Sequence, residues 1–151
     1  MIAPPSIYLL FGELTDDEIN KLYNHEKVKS FVTFTKGEGF GRPMLEFTMT
    51  GKPVVASNWS GHLDFLPSDK SILLEGEITP VHNSTVDNFI IKNSSWFTVD
   101  YLKSIEKLRD VINDYSNHLS KSEELRLINK ESFSKERMKE EFIKIYTKYK
   151  K

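Results

Sequence analysis

The stretch FVTFTKGEGFGRPMLEFTMTGKPVVAS, residues 31–57, decides the fold. It begins inside a β-branched and aromatic run, Val28–Phe34, which predicts a strand. A glycine-rich turn follows, and Pro43 then suits the first position of a helix that ends at Gly51. Pro53–Ser57 predicts the next strand. Two strands joined through a helix by short connections are typical of a right-handed βαβ unit in a parallel sheet.

The segments on either side extend this pattern. Ile7–Phe11 is a continuous apolar run, which predicts a strand buried on both faces, and Ser71–Leu74 predicts a short fourth strand. Between the first two strands, Thr15 and Glu18 form a T-x-x-E capping box, so a helix should begin at Asp16. We therefore expect an α/β fold, a Rossmann-like parallel sheet of about four strands flanked by helices.

The second half of the chain is predicted to be mainly helical. Asp100–Tyr115 carries apolar residues at helical spacing, residues 119–131 predict another helix, and Ser134 is expected to cap a last helix. Residues 75–97 are rich in Asn, Ser and Thr, and we expect them to form an irregular excursion such as a hairpin or a lid.

The composition bounds the class of protein. The chain has 151 residues, of which 38% are hydrophobic and 12% aromatic, and this indicates a single folded domain over residues 1–151. It contains no Cys, so disulfides, thiolate metal sites and Cys nucleophiles are excluded. The apolar runs are too short for a membrane span and no basic region precedes the first of them, so we expect a cytoplasmic protein. Residues 118–151 are basic but interleaved with acidic residues, which favours a solvated helix face over nucleic-acid binding.

The chemistry is concentrated between Lys36 and Glu46, where a predicted strand passes into a predicted helix. In open α/β sheets, ligands bind beyond the carboxyl ends of the strands. Gly37, Gly39 and Gly41 let the backbone turn sharply and approach a ligand closely, and the start of the helix favours an anion, most naturally a phosphate. The spacing matches neither the dinucleotide-binding fingerprint nor a P-loop.

Two carboxylates frame this glycine-rich loop. Glu46 points back toward the start of its helix, where a carboxylate can accept hydrogen bonds from the two hydroxyls of a ribose. Glu38 would face whatever lies beyond the phosphates. The spacing therefore suggests that hydroxyls, pyrophosphate and sugar are recognised in order. The residues leave open an alternative, a glycine-rich turn with two solvent-exposed glutamates.

Other conspicuous residues favour structural roles. His62 and Asp64 lie two residues apart on a turn, which does not suit a catalytic dyad, and Asp64 is expected to cap the short helix after Gly61. The other three histidines are scattered without a carboxylate at ligand spacing, so we expect no metal site. Trp59 and Trp96 can stack on a sugar, although packing is the commoner role of such side chains.

Four segments carry a resemblance to a known family: GELTDDEINKLY at 12–23, EGFGRPMLE at 38–46, TGKPVVAS at 50–57 and SGHLDFL at 60–66. Together they resemble the C-terminal, donor-binding domain of the retaining "group 1" GT-B glycosyltransferases, over roughly residues 7–74. The E-x7-E pattern alone is weak, but it is specific when GFG-x-P, G-x-P-V-V and G-x-x-D follow in this order. The terminal segment FSKERM, residues 133–138, is also in keeping with that family.

The resemblance implies transfer of a hexose from a nucleotide sugar to an acceptor with retained configuration, and it implies no catalytic metal or other cofactor. Glu38 would be the catalytic residue beside the transferred sugar, and Glu46 would bind the donor ribose. The nucleobase would lie near residues 12–14. The amides around Gly39 to Gly41 and at Met44 and Leu45 would hold the pyrophosphate and the transferred sugar. The full donor-binding set that the resemblance implies is Gly39, Phe40, Gly41, Arg42, Pro43, Met44, Leu45 and Glu46.

The resemblance covers only part of a GT-B enzyme. Such an enzyme binds donor and acceptor between two Rossmann-like domains, and this sequence matches neither the acceptor domain nor the first part of the donor domain. That first part carries the Arg/Lys segment that clamps the diphosphate, a position that Lys36 and Arg42 do not occupy. We therefore expect a chain that is inactive alone, either because it is a fragment or because an acceptor-domain partner chain or a homo-oligomer supplies the rest. The alternative is a non-catalytic interaction or nucleotide-binding module that has kept the fold.

Overall fold

A computed structural model describes residues 5–150, which form an α/β fold. Five α-helices are described: α1 (Asp16–Asn24), α2 (Arg42–Thr48), α3 (Tyr101–Asn113), α4 (Tyr115–Ser132) and α5 (Lys135–Tyr149). Five strands are described: β1 (Phe31–Val32), β2 (Val54–Ser57), β3 (Ile72–Leu74), β4 (Gly76–Pro80) and β5 (Ser95–Val99). None of these helices combines the length and the apolar character needed to cross a bilayer.

The first three strands form a parallel sheet in the order β1-β2-β3. Phe31 lies opposite Val54, and Val55 lies opposite Ile72. All four residues of β2 are buried, as expected for the central strand of a sheet covered on both faces. The predicted βαβ unit around residues 31–57 is confirmed.

Alternate residues of β2 pack into two separate cores. Val54 and Ala56 pack with Phe47 of α2 and with Leu125 of α4. Val55 packs on the opposite face, in a cluster that contains residues of β3, β5 and α3. This alternation follows from the two-residue period of a strand, and it places helices on one face and the second sheet with α3 on the other.

The second sheet is a hairpin built from β4 and β5. Glu77 pairs with Thr98 and Ile78 with Phe97 in antiparallel register. β4 lies at the start of the segment 75–97 and β5 begins near its end, so the hairpin expected there is confirmed. The chain enters α3 immediately after β5, where the Asp100 carboxylate accepts hydrogen bonds from the N–H groups of Leu102 and Lys103.

Polar side chains fix the helix ends as the sequence predicts. Thr15 Oγ1 accepts from the Glu18 N–H at 3.3 Å, and the Glu18 carboxylate accepts from the Thr15 N–H at 2.8 Å. Ser134 Oγ accepts from the Arg137 N–H at 3.1 Å and starts α5. The predicted helices 100–115 and 119–131 correspond to α3 and α4, and α4 begins earlier, at Tyr115.

One predicted strand is wrong. Ile7–Phe11 has no regular secondary structure, and its side chains are exposed, by 92% at Ile7 and 94% at Phe11. The described residues therefore form a parallel sheet of three strands rather than about four. An apolar run indicates a segment that can be buried, but a strand also needs a neighbour whose backbone N–H and C=O groups pair with it. Residues 5–150 supply no such neighbour to this segment.

Candidate functional site

The glycine-rich loop lies where the sequence predicts it, beyond the carboxyl end of β1 and before α2. Beside it lies the turn that follows β2, and the two are joined through Glu38. Ser60 Oγ accepts from the Glu38 N–H at 2.9 Å and donates to the Glu38 carbonyl at 2.5 Å. The Gly61 N–H also donates to this carbonyl, at 3.1 Å. Three hydrogen bonds from Ser60 and Gly61, which are distant from Glu38 in sequence, therefore hold the crest of the loop.

Ser60 makes these bonds from a strained backbone conformation. Its φ is 85° and its ψ is −169°, a region that is essentially confined to glycine. Such strain persists only where the surroundings impose it, and it clusters at ligand-binding and active sites. The next residue must be glycine, because a Cβ at Gly61 would overlap the carbonyl oxygen of Gly39.

Gly41 ends the loop and begins α2. It is buried with φ 86°, and a Cβ there would lie 2.6 Å from Met44 Cε and 3.1 Å from His62 Cβ. Its carbonyl accepts from the N–H groups of Met44 at 3.0 Å and Leu45 at 3.1 Å, so these two expected donor-binding amides are engaged within the helix. By contrast, the N–H groups of Gly39, Phe40 and Gly41 have no acceptor within residues 5–150. The amides without an acceptor among the described residues therefore lie on the loop, before Met44 and Leu45, and those of Gly39 and Phe40 belong to exposed residues.

The charged side chains of the expected site lie at its surface. Arg42 Nε is 3.1 Å from Glu46 Oε1, one helical turn apart, with side-chain exposures of 79% and 46%. An ion pair this exposed contributes at most about 1 kcal/mol, so a ligand can separate it at little cost. Glu38 is half-buried, and its carboxylate accepts a long hydrogen bond of 3.4 Å from Thr35 Oγ1. Both glutamates are therefore accessible to a ligand.

The remaining residues of the expected set differ in their surroundings. Phe40 packs against Phe65 and Phe133, with ring centroids 5.2 and 5.9 Å away, so its ring helps to anchor the loop to the helical layer. Pro43 is exposed in the first turn of α2, where its fixed φ suits the start of a helix. Leu45 is half-buried against the first core.

A cleft of about 390 Å³ opens between α1 and α2, and Glu46 lies in its wall. Arg42 and Thr50 line it from α2 and the following turn, and Asn20 and Tyr23 line it from α1. Burial, and secondarily the negative charge of Glu46, raise the pKa of the Tyr23 hydroxyl above its usual value. The cleft thus combines an aromatic ring, amide groups, a carboxylate and a guanidinium. Sequence reasoning missed it, because α1 and α2 are separated by a strand and a loop.

His62 is fully buried, and its Nε2 lies 2.7 Å from the Ser57 carbonyl at the end of β2. Since a carbonyl can only accept, Nε2 carries the proton of this hydrogen bond. The predicted role of Asp64 is wrong: it lies at the end of the 3₁₀ turn Gly61–Asp64 and does not cap it. That turn has no side-chain cap, because the Ser60 hydroxyl before it is engaged with Glu38.

One histidine lies closer to a carboxylate than the sequence spacing suggests. His118 Nε2 on α4 is 2.9 Å from Asp110 Oδ2 on α3, a contact that depends on how the two helices pack. Within residues 5–150, no three His, Asp or Glu side chains come together in a way that could hold a metal ion.

No protein-family model matches the chain, and none of the curated proteins compared with it matches either. What the site does must therefore be inferred from its own geometry and chemistry.

Proposed function

We propose that the chain is the donor-binding part of a hexose-transferring, nucleotide-sugar-dependent glycosyltransferase of the GT-B type. The observation that carries this proposal is the cleft between α1 and α2, which opens beside the glycine-rich loop and has Glu46 in its wall. A nucleotide sugar is a long ligand with a planar base, a ribose, a diphosphate and a second sugar. Arg42 lines the cleft and directly follows the loop, and the two together offer one chemical feature for each of these parts.

The ribose and the diphosphate bind at the start of α2. The Glu46 carboxylate accepts hydrogen bonds from the ribose hydroxyls, and the Tyr23 ring and the amide side chains of α1 receive the nucleoside. The diphosphate binds the N–H groups of Gly39 and Phe40, which have no acceptor among the described residues, and draws the Arg42 guanidinium away from Glu46.

The transferred sugar lies at the other end of the loop, where Glu38 is held through its backbone by Ser60. A half-buried carboxylate there orients the sugar and stabilises positive charge that develops at its reacting carbon. The acceptor binds to a partner chain or a further domain. No catalytic metal is invoked, because the amides and Arg42 neutralise the departing diphosphate.

Calorimetric titration of the folded chain with UDP, GDP and ADP tests this proposal. We expect one nucleotide to bind, and Glu46→Gln to weaken its binding about ten- to a hundredfold, because hydrogen bonds to a charged acceptor contribute about 1.5–3 kcal/mol. Glu106→Gln, an exposed position on α3, is the matched control and should leave binding unchanged. Glu38→Gln should retain nucleotide binding and lose sugar transfer in the assembled enzyme. If folded protein binds none of the three nucleotides, the interaction module becomes the better reading.

A further inference from the structure

Trp59 lies just beyond β2, separated from it by Asn58, at the carboxyl edge of the parallel sheet, and it is 45% exposed. Its ring stacks on Phe97 of β5, with the centroids 6.0 Å apart and the planes 2° from parallel. Phe97 is only 5% exposed and belongs to the second core. A centroid separation of 6.0 Å between parallel planes means that the two rings are offset, so Phe97 supports one part of the indole while much of the indole remains exposed. The chain thus presents a flat aromatic surface with a rigid backing.

This surface is fixed to both sides of Glu38. Trp59 precedes Ser60, whose hydroxyl bonds the backbone N–H and carbonyl of Glu38 at 2.9 and 2.5 Å. On the other side, the Phe97 N–H donates to the Lys36 carbonyl at 3.1 Å. The hydrogen bonds of Ser60 and of the Phe97 backbone therefore connect the two stacked rings to Glu38 and to Lys36, on the glycine-rich loop.

A flat aromatic face beside a carboxylate suits a pyranose. The face of an aromatic ring is electrostatically negative, and the C–H groups on the apolar side of a pyranose carry partial positive charge. The hydroxyl groups at the rim of the same sugar remain free to bond to carboxylates and amides. At Trp96, by contrast, one face of the ring is already occupied by the Lys36 ammonium, 4.2 Å from the centroid.

We propose that Trp59, backed by Phe97, is the stacking platform for a pyranose ring at the Glu38 end of the site. This proposal rests on the proposed function, since Glu38 is assigned to the sugar there. In this proposal the β4–β5 hairpin supports the platform, because it supplies Phe97 and contacts the loop at Lys36. The pyranose is either the transferred sugar of the donor or a sugar unit of the acceptor.

The experiment separates these sources from one another and from nucleotide binding. Wild type, Trp59→Ala, Trp59→Phe and the control Trp96→Phe are titrated calorimetrically with UDP, GDP and ADP, and with the glucose conjugate of each. Each protein is also titrated with maltotetraose, in the absence and the presence of the best nucleotide. Circular dichroism spectra verify that every variant is folded.

We expect Trp59→Ala to weaken binding of the glucose-containing probe about three- to tenfold, the effect of one aromatic stacking contact, and to leave nucleotide binding unchanged. Trp59→Phe should retain most of the affinity, and Trp96→Phe should behave as wild type. Loss confined to the nucleotide conjugate assigns the platform to the donor sugar, and loss confined to maltotetraose assigns it to the acceptor.

Three results would overturn the platform. One is that neither conjugates nor maltotetraose bind the wild type, and another is that Trp59→Ala leaves sugar binding unchanged. The third is that Trp59→Ala weakens nucleotide alone as much as its conjugate, which would place a nucleobase on Trp59. Because maltotetraose is tested without nucleotide, a wild type that binds maltotetraose but no nucleotide refutes the donor-site proposal and leaves the platform standing.

Discussion

Substituting Ser60 separates the hydrogen bonds that this residue makes from the strain that it carries. Ser60→Ala removes both bonds to the Glu38 backbone, which together contribute about 1–3 kcal/mol. Alanine keeps the unfavourable φ of 85°, so the strain remains. Ser60→Gly removes the same bonds and also removes about 1–3 kcal/mol of strain, against about 0.5–1 kcal/mol of extra chain entropy. We therefore expect the alanine variant to be less stable than wild type by about 1–3 kcal/mol, and the glycine variant to be about 1 kcal/mol more stable than the alanine variant.

Urea unfolding followed by far-ultraviolet circular dichroism measures both differences in stability. Calorimetric titration of the same proteins with nucleotide measures how the altered loop changes nucleotide affinity. Both variants should bind nucleotide more weakly than wild type, since the crest of the loop has lost two of its three fixed points. If Ser60→Gly is no more stable than Ser60→Ala, the strain assigned to Ser60 is refuted. If Ser60→Ala is as stable as wild type, the two hydrogen bonds do not hold the loop.

Three further substitutions probe the surroundings of the site. Glu46→Gln should lower the pKa of Tyr23 toward its usual value without restoring it fully, because burial is the larger cause of the shift. Ultraviolet titration, with Tyr23→Phe as the reference, measures this pKa. An unchanged pKa would contradict the cleft geometry. Gly61→Ala should destabilise the fold by about 1–3 kcal/mol, because the Cβ of the new alanine would overlap the Gly39 carbonyl. If urea unfolding shows that the variant is as stable as wild type, that contact is refuted. Asn129→Ala should lower the free energy of unfolding by about 1–3 kcal/mol in the same assay. The buried Asn129 side chain donates two hydrogen bonds of 3.1 Å, which join α4 to α2 and to Phe65. An unchanged free energy of unfolding would show that these bonds are not formed.

Local patterns predict the elements whose partners lie nearby in the chain. The capping box at Thr15, the βαβ unit of residues 31–57 and the Ser134 cap are all present, because each depends on contacts within a few residues or between consecutive elements. Ile7–Phe11 fails for the opposite reason. Its apolar pattern is as strand-like as that of β2, but pairing depends on an edge that the pattern itself cannot specify.

The site divides in the same way. The glycines and the two glutamates could be selected from the sequence, since the residue types and their spacing are enough to indicate a sharp turn and two hydrogen-bond acceptors beside it. The support of the loop could not, because a serine is not a sequence marker of positive φ and its partner lies 22 residues away. The dipeptide Ser60-Gly61 signals a turn, but nothing in it specifies that the turn contacts Glu38. The stacking of Trp59 on Phe97 likewise depends on how the hairpin meets the parallel sheet.

Binding and turnover should separate in this chain. The loop is held from three directions, by Ser60, by Phe97 through Lys36, and by the packing of Phe40 on the helical layer. If the proposed function holds, little ordering of the loop is needed for a donor to bind. Yet the charged groups that would meet the donor remain open to solvent, with the Arg42 side chain 79% exposed. Transfer to an acceptor rather than to water requires that the site be covered, because water competes for the activated sugar and weakens every charged contact. We therefore expect the purified chain to bind a nucleotide sugar without transferring it, and a radiolabelled-donor assay that detects glycosylated product from this chain alone would contradict that expectation.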